Sequence, residues 1–306
     1  MNPYRDYVKG LKEQVESAAS LPLGGFAAAD TPTPAPDAPK VLLFSPHPDD
    51  ECITGLLPLR WMREAGMRII NVPVTHGSLQ ERHAERHAEL RAACGYLGWE
   101  IVEMNRNGSL KVSDCRQPGF PIVGKENTLV SQSLEIADVV TLLEQLCPAA
   151  ILVPHEQDWN SRHIAAHRLV ISALQAMPAD FHCVVVESEF WAAMDRPNLM
   201  VAGEVEQVAD LVAATSFHVK EVERNPYHRL LPAWMMDNVR RGGELVGGQG
   251  RVAPAYLFAT LYRLQRWRDG RLQPALDQGT FVGLDCNAGE VIRGDSCTDS
   301  GAFASP

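Results

Sequence analysis

The sequence lacks three features that mark other classes of protein. It has no Cys-x-x-Cys pair, and its seven cysteines are odd in number and scattered, which excludes a thiolate zinc site and a disulfide framework. It has no run of about 18 apolar residues, so we expect no transmembrane helix. It has no excess of positive charge. The formal net charge of -10 argues against a protein that binds nucleic acid mainly through electrostatics.

The N-terminal region also lacks the pattern of a secretory signal. Charged residues such as Arg5 and Lys9 interrupt any apolar run near the start, so we expect a cytoplasmic protein with free thiols. Residues 3–20 carry apolar side chains at helical spacing and predict an amphipathic helix. The prolines of residues 31–39 exclude a helix there. We therefore interpret residues 1–39 as an N-terminal helix followed by a Pro-rich strap.

From Lys40 onward, short apolar runs alternate with amphipathic stretches. This alternation predicts an α/β fold, namely a Rossmann-like, mostly parallel sheet flanked by helices. The domain is expected to span residues 40–284, and the polar tail 285–306 is expected to be poorly ordered. Strands are predicted at 41–44, 68–74, 99–104, 149–154 and 183–187. Helices are predicted at 52–65, 79–98, 131–146, 161–177, 208–222 and 252–268, with a loop at 240–250.

Ionisable residues follow three of the predicted strands. The first strand precedes His-Pro-Asp-Asp-Glu at 47–51, the second precedes His76, and the fourth precedes a His-containing segment at 155–163. In open parallel sheets, ligands bind beyond the carboxyl ends of the strands, so these groups are expected at one edge. Adjacent carboxylates repel each other, and a cation would relieve that cost. A catalytic zinc ion needs three protein ligands. Residues 47–51 can supply two of them, and His155 or His163 the third.

The motif at 47–51 resembles the signature of the LmbE-like, or PIG-L, family of N-acetylglucosaminyl deacetylases. Three further segments resemble the same family. The first is residues 86–98, an Arg-x-x-Glu helix ending in Leu-Gly. The second is residues 160–165, the second metal motif, and the third is residues 187–198, a strand and the turn after it. The resemblance covers roughly residues 40–228. It implies zinc as cofactor and removal of an acetyl group from an N-acetylglucosamine-type amino sugar or its conjugate.

The resemblance also implies roles for individual residues. The implied zinc ligands are His47, Asp50 and His163. Asp49 would be the general base, and Arg86 would bind substrate or position that base. Where the family usually has a further His, this chain has Asn160, which can donate a hydrogen bond to an oxyanion but cannot carry a proton at neutral pH. Either Asp49 makes both proton transfers, or His155 replaces the missing His, or activity is low.

A further set of residues is predicted to contact the substrate. Arg162 stands where the family commonly has an aspartate, so it would favour an anionic substrate over a cationic one. Trp159 can stack on a sugar ring. The full set is His76, His155, Trp159, Arg162, Tyr227 and His228.

We therefore expect a zinc-dependent hydrolase that acts on a small acylated amino sugar. Two alternatives stay open: an amidase of the same fold for another small acylated amine or thiol conjugate, and a non-catalytic sugar-binding protein. Asn160 is the reason for keeping the second. No nucleic acid partner or membrane span is expected, and a homo-oligomer is compatible with the sequence. A dehydrogenase is excluded because the first strand is not followed by Gly-x-Gly-x-x-Gly.

Overall fold

The computed structural model describes residues 2–104, 109–116 and 134–293. Within these residues, ten strands form one sheet. The strands are β1 (Lys40–Ser45), β2 (Arg68–Pro73), β3 (Glu100–Met104), β4 (Leu110–Asp114), β5 (Ala150–Pro154), β6 (Cys183–Ser188), β7 (Leu199–Gly203), β8 (Phe258–Arg268), β9 (Arg271–Pro274) and β10 (Thr280–Val282). The helices are α1 (Arg5–Ser17), α2 (Asp50–Ile53), α3 (Leu56–Ala65), α4 (His83–Leu97), α5 (Ile136–Leu146), α6 (Ser161–Ala176), α7 (Val205–Ser216), α8 (Val219–Arg224), α9 (Leu231–Leu245) and α10 (Glu290–Arg293).

The centre of the sheet is parallel, in the order β6-β5-β1-β2-β3. Alternate residues of β1 pack on opposite faces. Val41 and Leu43 join a core with residues of α3 and α4, whereas Leu42 and Phe44 join a core with residues of α5 and α6. Burial on both faces explains why β1 is a continuous apolar run rather than an alternating one. The predicted fold class, an α/β protein with a mostly parallel sheet between helices, is confirmed.

Strand β8 corrects one sequence prediction. Residues 252–268 are predicted as a helix, but the structure places Phe258–Arg268 in a strand that pairs antiparallel with both β6 and β7. Phe258, Leu261 and Tyr262 have helical spacing, and that periodicity produced the wrong prediction. Pairing with two neighbouring strands decided the outcome, because β preference depends strongly on tertiary context.

The predicted loop at 240–250 is also wrong in its first half, because α9 continues to Leu245. Gly242 and Gly243 lie inside this helix, where they are normally unfavourable. A Cβ atom at Gly242 would overlap the Met200 sulfur, and one at Gly243 would press on Ala253. These glycines therefore allow the helix to lie close to its neighbours.

The remaining differences concern boundaries and missed strands. The helix predicted at 52–65 is divided at Gly55, which has a φ of +91° and lies against Thr260. The first residues of the helix predicted at 131–146 lie outside the described residues, and α5 begins at Ile136. Sequence reasoning did not find β4, β7, β9 or β10. Among the described residues, the helices are too short or too polar to cross a membrane.

The two ends of the chain contribute no strand to this sheet within the described residues. Helix α1 has no buried residue, and its apolar side chains are exposed. In the predicted tail, α10 is described, whereas residues 294–306 lie outside the described residues, so the boundary after residue 284 stays a prediction. Cys286 is disulfide-bonded, so the expectation of free thiols is wrong there, because spacing does not reveal which thiols meet in a fold. Among the described residues, the free cysteines are Cys52, Cys94, Cys115, Cys147 and Cys183.

Candidate metal centre and active site

Two strand ends bring three metal-type ligands together at the carboxyl edge of the sheet. The loop after β1 and the start of α2 supply His47 and Asp50, and the first turn of α6 supplies His163. His47 Nδ1 and His163 Nε2 lie 3.2 and 3.3 Å from the same oxygen, Asp50 Oδ2. Ligand atoms ~2.1 Å from a tetrahedral zinc ion are ~3.4 Å apart, so these spacings suit zinc.

The surroundings of His163 also fit a bound cation. Its ring is fully buried, and neither ring nitrogen has a hydrogen bond within the described part of the chain, although Nε2 faces Asp50. A buried polar atom without a partner is costly, and a cation between His163 and Asp50 would satisfy both residues. Burial opposes protonation of His163, but the interaction with Asp50 and the charges of Asp158 and Asp49 together outweigh burial and raise the pKa of the imidazole. Protons and metal therefore compete for this position.

A second cluster beside the first, formed by Glu51, Cys52 and His218, has different geometry. All three residues are buried, and their ligand-type atoms also lie close together. However, His218 Nε2 lies 2.6 Å from Glu51 Oε1, which is a hydrogen-bond distance and too short for two ligands of one zinc ion. This cluster is therefore a hydrogen-bonded pair with a neighbouring thiol, not a second metal site.

Asp49 lies next to the first cluster and outside its ligand set. Tyr227 Oη donates a hydrogen bond of 2.6 Å to Asp49 Oδ2. Burial, and then the neighbouring charge of Asp50, raise the pKa of Asp49. A carboxylate with raised proton affinity is suited to accept a proton from water, and a cation at Asp50 would moderate the shift. The arrangement is compatible with the predicted role of general base.

The backbone of Asp49 is strained. Its φ is +119° and its ψ is −31°, values that residues with a side chain rarely adopt. Such a conformation costs on the order of 1–3 kcal/mol and persists only where the surroundings enforce it. The strain falls between a metal-type ligand at Asp50 and the rigid Pro48. It therefore coincides with the centre of the candidate site.

The second motif folds as a capped helix start. Asn160 Oδ1 accepts the N–H of Arg162 at 3.0 Å, which leaves the Asn160 amide group as a donor. Asp158 accepts the N–H groups of Asn160 and Trp191 at 2.8 and 3.0 Å. Its Oδ2 also lies 3.8 Å from Nδ1 of His163, which is beyond hydrogen-bond distance. Sequence reasoning did not single out Asp158, and its only signal is its place in the loop just before the helix that carries His163.

Arg86 braces the loop that carries Asp49. Its Nη2 donates to the Pro48 carbonyl at 2.9 Å, and its Nε lies 4.0 Å from Glu221 Oε1. A Cβ atom at Gly77 would overlap the Arg86 guanidinium, so glycine permits this approach. Of the two predicted roles of Arg86, this geometry favours positioning the base.

His76 begins a chain of hydrogen-bonded side chains at the end of β2. Its Nε2 lies 3.3 Å from His87 Nδ1, and His87 Nε2 lies 3.1 Å from Glu103 Oε1. The preceding Thr75 N–H donates to the Pro46 carbonyl at 3.2 Å, which places His76 beside the loop after β1. Burial, and then the neighbouring His87, lower the pKa of His76 to about 3. His76 is therefore a neutral ring near the site.

The lowered pKa of His76 predicts sensitivity of the fold to acid. The unfolded chain protonates this residue near pH 6.5, whereas the folded protein keeps it neutral down to about pH 3. The unfolded state thus binds more protons within this window, and stability is lost as the pH falls through it. Between these pH values, we expect the melting temperature of His76→Gln to fall less steeply with decreasing pH than that of the wild type. Thermal melts of chelator-treated protein measure this, with the exposed His182→Gln as control. Parallel curves for all three would contradict the prediction.

The other predicted contact residues lie at different depths. His155 is 1% exposed, and its Nε2 faces the Ala192 carbonyl at 3.0 Å, so it does not present a free ring to substrate. Trp159 and Arg162 are exposed near the start of α6, which carries His163. His228 is 8% exposed, and burial lowers its pKa. Of the predicted set, Tyr227 has the most direct contact with the candidate site.

A separate cavity lies at the opposite edge of the sheet. Its volume is about 980 Å³, and Ala149, Val184 and Trp267 contribute to its lining. None of the predicted site residues lines it. It therefore gives no support to a competing active site built from the same residues.

Comparisons with known proteins support the family resemblance. A family model described as PIG-L, GlcNAc-PI de-N-acetylase, matches residues 42–174. This confirms the prediction from the motif: the matched region is of the PIG-L, or LmbE-like, family. No curated protein sequence matches the chain.

Three of the solved structures that match the chain have low sequence identity to it. The N,N'-diacetylchitobiose deacetylase of Pyrococcus horikoshii is 16% identical, with a TM-score of 0.49, covering 88% of this chain and 94% of that one. A conserved protein of Thermus thermophilus is 18% identical, with a TM-score of 0.47 and coverage of 73% and 93%. The 4-carboxy-2-hydroxymuconate hydratase GalB of Pseudomonas putida is 14% identical, with a TM-score of 0.49 and coverage of 74% and 95%.

Proposed function

We propose that the protein is a zinc-dependent hydrolase that removes the acetyl group from an N-acetylglucosamine-type amino sugar or its conjugate. The observation that carries the proposal is that His47 and His163 both face the same carboxylate oxygen of Asp50, with Asp49 adjacent. The PIG-L match over residues 42–174 supports the reaction class. Zinc bound by these three side chains would supply Lewis acidity to a water molecule and to the amide carbonyl.

The chain's own residues would then divide the remaining work. Asp49 takes the proton from the attacking water, while the hydroxyl of Tyr227 holds its carboxylate in place. The free amide group of Asn160 donates a hydrogen bond to the carbonyl oxygen as negative charge develops there. When the carbon–nitrogen bond breaks, Asp49 returns the proton to the leaving amine, because Asn160 cannot carry one and His155 is turned away. Acetate and a free amine are the products.

The substrate assay should test the chemistry and the metal together. Release of acetate and of free amine would be measured on N-acetylglucosamine, its short oligomers and thiol-precursor glycosides, with and without a chelator. We expect turnover of at least one acylated amino sugar and loss of turnover with chelator that added zinc restores. Turnover of a different amide alone would favour the amidase alternative. Binding of sugars without hydrolysis by zinc-loaded protein would favour the non-catalytic alternative.

A further inference from the structure

Asp49 and Asp50 are consecutive in sequence, yet both carboxylates reach the same site. The charge of Asp49 acts on His163, and the charge of Asp50 acts on Asp49, so the two side chains lie close together. In a strand, successive side chains point to opposite faces, and in a helix they diverge by about 100°. An unusual backbone conformation is therefore needed to bring both to one place.

The φ of Asp49 supplies that conformation. Among the described residues, Cys147 and Asp269 also have positive φ values without being glycine, but at 43° and 53° they lie in the ordinary left-handed region. Asp49, at 119°, lies outside that region. Its neighbours must therefore hold it there.

Glu51 holds the Asp49 backbone from two residues away. Glu51 Oε2 accepts the N–H of Asp49 at 2.8 Å, and Glu51 Oε1 accepts the thiol of Cys52 at 3.2 Å. The Glu51 side chain is fully buried, so a rotation away from Asp49 would leave a carboxylate oxygen without a partner. The bond to Asp49 is therefore not easily exchanged for another.

His218 fixes Glu51 in turn. Its ring is fully buried and lies 2.6 Å from Glu51 Oε1. The His218 backbone is itself held between α7 and α8, because its N–H donates to the Thr215 carbonyl and its own carbonyl accepts from Glu221. The contact thus connects the start of α2 to a residue 167 positions further along the chain.

We propose that His218 and Glu51 are positioning residues that hold Asp49 in its strained backbone conformation. His218 orients Glu51, Glu51 binds the Asp49 N–H, and Tyr227 fixes the carboxylate at the other end of the same residue. Neither His218 nor Glu51 touches the substrate. The proposal rests on the proposed function, in which Asp49 is the base. His218 lies beyond the region matched by the family model, so the motif alone does not contain the complete device.

The test compares two substitutions at His218. His218→Leu removes the donor to Glu51, whereas His218→Gln retains an amide donor. We expect kcat of the zinc-loaded His218→Leu variant to fall by about 10²-fold, with KM and zinc content unchanged, because a small displacement of a reacting group has this effect. His218→Gln should recover a substantial part of kcat. His167→Leu is the matched control, since it removes another buried His that faces a glutamate, Glu187, at 3.0 Å, and it should lower the melting temperature without reducing kcat.

Crystal structures of the same variants supply a readout that does not depend on activity. Asp49 should relax toward negative φ in His218→Leu and keep its φ in His218→Gln. An unchanged φ in His218→Leu, or wild-type kcat in that variant, would overturn the proposal. If His218→Leu does not fold, loss of the Asp49 conformation in His218→Gln without loss of kcat would also overturn it. A wild-type protein that hydrolyses no amide would refute the proposed function. The comparison of the Asp49 φ angle between the variants would still test the role of His218.

Discussion

Replacement of Asp49 by asparagine should lower kcat by about 10³-fold while leaving zinc content unchanged. Asparagine has nearly the same shape and can still accept the hydrogen bond from Tyr227, but it cannot take a proton from water. Loss of a general base typically costs 10²- to 10⁴-fold in rate. The measurement is steady-state hydrolysis of the best acylated amino sugar, with zinc quantified on the same preparation.

The control for Asp49 is the same substitution at a surface position. Asp237→Asn removes an exposed carboxylate that pairs with Arg240, and it should leave kcat within about 3-fold of the wild type, since most surface changes have little effect. An Asp49→Asn enzyme with wild-type kcat would show that another group is the base. An equal loss in both variants would point to a general effect of the substitution.

Replacement of His163 by alanine should remove both the metal and the activity. Only His47 and Asp50 would then remain of the three candidate ligands, and a catalytic zinc site normally needs three protein ligands. We expect bound zinc to fall from about one per chain to less than about 0.1 after dialysis, with turnover reduced in proportion. Elemental analysis and hydrolysis assays of the same samples give the two quantities.

His167 offers the matched control, since it lies one turn further along α6. It faces Glu187 rather than Asp50, so His167→Ala should keep its zinc. Full zinc content in His163→Ala would refute the assigned ligand set. Loss of zinc in both variants would mean that any change in this helix disturbs the site, and the assignment of His163 would lose its support.

The central part of the fold could be predicted because its signals are local. The apolar runs of β1 and β5 are continuous, since both faces of these strands are buried. The ligand candidates could be predicted for a related reason. His47 and Asp50 lie in one short motif, and His163 follows another strand of the same parallel sheet, whose carboxyl ends share an edge.

The rest depended on contacts between distant segments. Strand β8 has helical periodicity, and only pairing with β6 and β7 makes it a strand. The glycines of α9 predict a loop from the sequence alone, but in the structure they allow the helix to lie against Met200 and Ala253. In both cases the tertiary neighbours outweigh local preference, which amounts to less than about 1 kcal/mol per residue for most residue types.

The sequence by itself determined the α/β class, the edge of the sheet where chemistry is expected, and the residue types that can bind a metal there. The tertiary structure decided which carboxylate neighbours which imidazole, that His155 faces the Ala192 carbonyl, and that Tyr227 contacts Asp49 and His218 contacts Glu51. The physical reason is the distance along the sequence over which each kind of signal acts. Periodicity and motif report on residues within a few positions of one another, whereas the contacts of Tyr227 with Asp49 and of His218 with Glu51 join residues more than 150 positions apart.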